Sequence, residues 1–102
     1  MSMTCWETAG AAEKKLFSAI ARLFEEQPRL LEFLFDSKAP RLNAAPDEIL
    51  AAARGLCSSD FLLVRVALDI WSAAGQVHMH EVIDADPETY DLILAAMASL
   101  AA

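Results

Sequence analysis

A chain of 102 residues that is 56% hydrophobic with a formal charge of −7 has the size of one ordinary domain. Its apolar load, at a mean hydropathy of +0.32, exceeds what one small core comfortably hides and points to a partner. Three Gly and four Pro are too few for an all-β chain with frequent tight turns, and the negative charge argues against nucleic acid as the ligand. The imbalance is also local: residues 1–55 carry seven basic and eight acidic groups, whereas residues 56–102 carry Arg65 alone against seven acids.

In chain order, Thr4-Cys5-Trp6-Glu7 fits a capping box, with the threonine capping the helix and the glutamate reaching back. The helix it opens is expected to run to about Glu26 and to stop before Pro28. Leu16, Phe17, Ile20, Leu23 and Phe24 follow helical spacing on its apolar face, and Gly10 weakens its first turns. Pro28 suits the first position of a second helix through about Asp36. Leu30, Leu31, Phe33, Leu34 and Phe35 leave that helix only Arg29, Glu32 and Asp36 for a polar side, as expected of a wedge or an interface. Residues 37–45 contain Pro40 and no period, and read as a surface loop and a hinge.

Pro46-Asp47-Glu48 opens a third helix that ends near Gly55, with proline first and two carboxylates at the positive end of the dipole. Ser58 or Ser59 is the expected cap of a fourth helix over residues 59–74. That segment is apolar on nearly every side, with Arg65, Asp69 and Ser72 as one narrow polar stripe, so it is expected to be the central, most buried element. Gly75 fits a left-handed C-terminal cap. Residues 76–85 alternate like a short strand, but Met79, Val82 and Ile83 also sit at helical spacing, and a single helical turn is preferred. Asp86-Pro87-Glu88 is the clearest helix start in the chain, and the last helix is expected to place Tyr90, Ile93, Leu94, Met97 and Leu100 on one face.

The first residues show neither a basic nor an apolar leader segment. Cys5 and Cys57 stand in no ligand spacing and read as reduced thiols. No uncharged apolar run approaches the ~18 residues of a membrane span. A soluble, cytoplasmic chain without membrane contact is expected.

Several constellations hint at chemistry. His78 and His80 would point the same way on a strand and share a zinc ion with a cysteine, but on a helix they diverge and read as solvated histidines. Asp84, Asp86 and Glu88 begin like an EF-hand loop, yet Thr89 stands where glycine is needed and Ala95 where the bidentate glutamate belongs. Residues 62–101 have the rhythm of a helix–turn–helix, but the would-be recognition helix opens with acids and holds no Lys, Arg, Asn or Gln to meet phosphates. Cys57 falls near a helix N-terminus, where the dipole lowers thiol pKa values, although a buried, inert cysteine is the more ordinary reading. The motifs of hydrolases, phosphate-binding loops and zinc proteases are missing.

These readings predict an all-α, single-domain bundle of about five helices around residues 59–74, with no cofactor or metal. The expected function is a small acidic interaction or regulatory module without catalysis, acting as a homodimer or on a protein partner. Leu30, Leu31, Leu34, Phe35, Tyr90 and Met97 are its candidate contacts. The alternatives are a helix–turn–helix DNA-binding regulator and a ligand-binding protein or enzyme with a site near Cys57, His78 and His80.

Overall fold

A computed structural model of the chain describes residues 10–36, 38–39 and 41–101. The expected capping box at Thr4–Glu7, with Cys5 and Trp6, lies outside the described residues, as does Pro40. Six helices form among the described residues: α1 (Ala11–Leu23), α2 (Pro28–Leu34), α3 (Pro46–Ala53), α4 (Ser58–Ser72), α5 (Met79–Ile83) and α6 (Pro87–Ala101). The fold is all-α, with one helix more than expected because residues 76–85 hold a true, if short, helix. Prolines 28, 46 and 87 each occupy the first helical position, where the missing N–H costs nothing. Helix α1 starts late: Gly10 is extended and its N–H donates to Glu13 Oε1 at 3.3 Å.

The core is assembled from one face of each long helix. Ile20, Leu23, Leu34, Leu63, Val64, Leu68 and Ile93 are all but inaccessible to solvent. Helix α4 supplies five of the buried residues and packs on α1, α3 and α6, while α1 also lies along α6. An aromatic chain crosses this core. The Phe35 ring meets Phe17 of α1 edge-to-face at 5.5 Å and Trp71 of α4 at 5.0 Å, a geometry in which ring edges and faces attract. The connection after α2 is fastened down: Asn43 Nδ2 donates to the carbonyls of Glu32, Phe33 and Phe35, and Asp36 accepts from Arg41.

Two sequence expectations at the ends of α4 need correction. The residue before the helix is Cys57, which makes no side-chain cap, and Ser59 Oγ instead donates to Asp86 Oδ1 at 2.8 Å, beside the start of α6. At the other end the left-handed residue is Ala73 (φ 57°, ψ 33°) rather than Gly75. Gly75 is required for space: a Cβ there would lie 1.8 Å from the Arg65 carbonyl oxygen, so the chain crosses α4 in direct backbone contact.

Glycine is therefore needed at position 75 for room and favoured at 73 for conformation. Gly75→Ala should lower the unfolding free energy by about 3 kcal/mol through overpacking, whereas Ala73→Gly should raise it by up to about 1 kcal/mol by relieving a left-handed alanine. Urea unfolding of the two variants beside the parent checks both signs.

Candidate functional site

Two of the three residues in the polar stripe of α4 are turned to the chain that follows the helix, while Ser72 is exposed. Arg65 and Asp69, one turn apart, grip the connection between α4 and α5. The Asp69 carboxylate accepts three successive backbone N–H groups, from Gly75 at 2.8 Å, Gln76 at 3.0 Å and Val77 at 2.9 Å. The Arg65 guanidinium donates to the carbonyls of Gly75 and Gln76 and forms a two-point ion pair with Glu81 at 2.9 and 3.1 Å. Its other side lies 5.8 Å from the Phe61 ring centroid. The same grip holds Gln76 at a positive φ of 53°, a conformation that surrounding contacts must enforce.

Glu81 closes the connection from the far side, its Oε2 accepting the His78 N–H at 2.8 Å. The hydrogen bonds from Arg65, aided by the one from His78, hold its carboxyl down at about 2. Asp86 is also lowered, first by the Thr89 hydroxyl and then by the Ser59 hydroxyl, with Oδ1 receiving both at 2.7 and 2.8 Å.

These contacts set α4 and α6 side by side in the same direction. Ser59 and Asp86 join their starts, and further along both helices line one groove. Val66 and Ile70 of α4, Ile93 and Met97 of α6, and Met79 and Val82 of α5 line it; its volume is about 320 Å³ and it opens to solvent. Its lining is apolar apart from Asp69, already committed to the connection, and His78. Met79 is 70% exposed and Met97 51%. Ile83 and Leu94 extend the exposed apolar surface along the same two helices. Helix α6 thus has two apolar faces, Thr89, Ile93 and Ala96 turned inward and Tyr90, Leu94 and Met97 outward, where sequence periodicity merged them into one.

The six candidate contacts divide accordingly. Met97 lines the groove and Tyr90 is exposed on the same helix. Leu30 and Leu31 are half-buried, and Leu30 lines a separate cleft with Leu56 and Asp60. Leu34 and Phe35, at 0% and 4% exposure, belong to the core and present no surface, since the aromatic chain consumes Phe35. Met79 and Ile83 are exposed and Val82 half-buried, none of them among the six candidate contacts, and their helical spacing on so short a segment is the signal that marks them.

The chemical candidates are not brought together. Cys57 is exposed rather than buried, at the opposite end of α4 from His78, which sits beside Asp69 and Ile70; twelve helical residues between put them about 18 Å apart. His78 and His80 do not diverge, because His78 precedes α5 in extended conformation and the two rings stack at 5.9 Å. Among the described residues no group of three or more His, Cys, Asp or Glu side chains is arranged to hold a metal ion. No buried side-chain nitrogen or oxygen among them lacks a partner, and no helix among the described residues is long and apolar enough to cross a membrane. Comparison of the chain with protein-family models, curated proteins and solved structures gave no match.

The depressed Glu81 carboxyl makes stability acid-sensitive. A carboxylate with a lowered folded-state pKa contributes fully above its ordinary value and loses that contribution as pH falls toward the folded value. For Glu81 the window runs from 4.5 down to about 2. Across it the parent protein should lose more stability than Glu81→Gln does, as read by urea midpoints at stepped pH; parallel pH profiles would contradict the ion pair.

Proposed function

We propose that the chain is a small, non-catalytic interaction module that engages a protein partner through the groove of α4, α5 and α6. The observation that carries this reading is the exposure of Met79 and Met97 on either side of an open apolar groove. Burying a large apolar side chain is worth about 1.5–3 kcal/mol, so a folded domain that leaves such residues uncovered retains free energy for association. Methionine also adapts its shape to what it meets. The proposed setting is cytoplasmic, in keeping with two cysteines that stand in no paired spacing.

The same features weaken the rival readings. A DNA phosphate approaching α6 would meet Glu88 and Asp91 with no Lys or Arg anywhere in residues 66–102. A small-molecule site needs several convergent polar groups, and in this groove the Asp69 carboxylate is engaged with three backbone donors.

A double variant, Met79→Asp with Met97→Asp, tests the reading. Both positions are exposed, so unfolding free energy should stay within about 0.5 kcal/mol of the parent. In affinity capture from the source cells, the parent should retain a stoichiometric partner that the variant loses. Equal capture by both proteins would remove this surface from the proposal.

A further inference from the structure

The exposed apolar surface is wider than the groove. Met79 and Met97 line the groove, whereas Ile83, Tyr90 and Leu94 do not, yet all five are large apolar residues open to solvent. Ile83 follows Met79 by four residues on α5, and Tyr90, Leu94 and Met97 recur at helical spacing on α6, so each set lies along one side of its helix. Helices α5 and α6 pack on each other, which joins the two ridges into one face. At the observed exposures, 70% for Met79, 64% for Ile83 and 51% for Met97 among them, the five present roughly 500 Å² per copy, near the upper end of the patch a monomer ordinarily leaves uncovered. A single segment laid in the groove would cover the methionines and leave Ile83, Tyr90 and Leu94 in water. A partner as broad as the face itself covers all five.

The face also lacks a charge for a partner to read. Asp69 is the one carboxylate among the residues lining the groove, and it is engaged by three backbone N–H groups. Glu88 and Asp91 stand on the side of α6 turned away from Ile93, Met97 and Leu100, and Asp84 lines a different cleft with Ser58 and Glu81. A two-fold contact lays a patch against itself, so it needs a surface free of opposed like charges. On a chain of net charge −7, this face meets that condition. Resting on the interaction reading above, we propose that the partner is a second copy of this chain, with α5 and α6 of each copy packed against α5 and α6 of the other. The contact buries about 1,000 Å² in total, the size at which specific interfaces begin, so the dimer is weak and reversible. Because the two copies carry the same net charge, screening by salt strengthens it.

The test is sedimentation velocity of the full chain from about 5 µM to about 1 mM, together with NMR of a sample in which half of the copies are isotope-labelled. Expected are a monomer–dimer equilibrium with a dissociation constant on the order of 10–100 µM, tighter at higher salt, and intermolecular NOEs from the methyl groups of Met79, Ile83, Leu94 and Met97. Leu94→Asp, outside the groove, should weaken the dimer at least about 10-fold while its far-ultraviolet circular dichroism matches the parent. If that variant loses helicity, the intermolecular NOEs of the parent decide alone. A dimer whose NOEs fall on other helices would overturn the proposal, and so would a chain that stays monomeric throughout. In the monomeric case, loss of a different captured cellular protein on Met79→Asp with Met97→Asp would leave the interaction module standing. Equal capture by parent and double variant would sink both readings.

Discussion

Arg65 and Asp69 hold the connection between α4 and α5, and the architecture of the C-terminal half depends on that grip. Without it a chain leaving Ser72 would have no reason to fold back across α4 closely enough to exclude a Cβ at Gly75. Three N–H groups in a non-helical segment would need water, and Gln76 would relax from its left-handed conformation. Asp69 satisfies the donors, Arg65 satisfies the carbonyls, and Glu81 neutralises Arg65. Each member answers another's hydrogen-bonding demand, which is what makes a partly buried polar network favourable rather than costly.

The grip also decides what the surface offers. By folding the connection tightly over α4 it delivers Asp86 to Ser59, so α6 begins beside the start of α4 and runs along it. Residues at matching distances from those starts then face one another, Ile70 eleven positions after Ser59 and Met97 eleven after Asp86. Helix α5 is too short to cover the space between, and a groove remains. Fold and proposed function therefore share a cause: the polar clamp that orders the crossover leaves the groove beside it open.

Much of the fold was legible in the sequence because it rests on local chemistry. The prolines at 28, 46 and 87 and the acid at 86 marked helix starts correctly, since caps and first-turn preferences act within a few residues. Errors fell where the deciding partner is distant. Arg65 and Asp69 read only as a narrow polar stripe because periodicity cannot see the backbone that returns six to eight residues after Asp69 and ten or eleven after Arg65. Ser59 looked like a cap because Asp86, its acceptor, is 27 residues away. Phe35 looked like an interface residue because helix α2 is apolar on most sides, whereas its ring partners lie on α1 and α4. Of the proposed contacts, only Met97 both emerged from the sequence and lines the groove.

Hydrogen exchange at the amides of Gly75, Gln76 and Val77 tests the clamp most directly. These groups lie outside every helix, yet each donates to Asp69, so they should be protected in the parent and exchange at least about 10-fold faster in Asp69→Ala. Protection at Ile20, Leu23 and Val64 should remain. Loop-like exchange at all three amides in the parent protein would contradict the account.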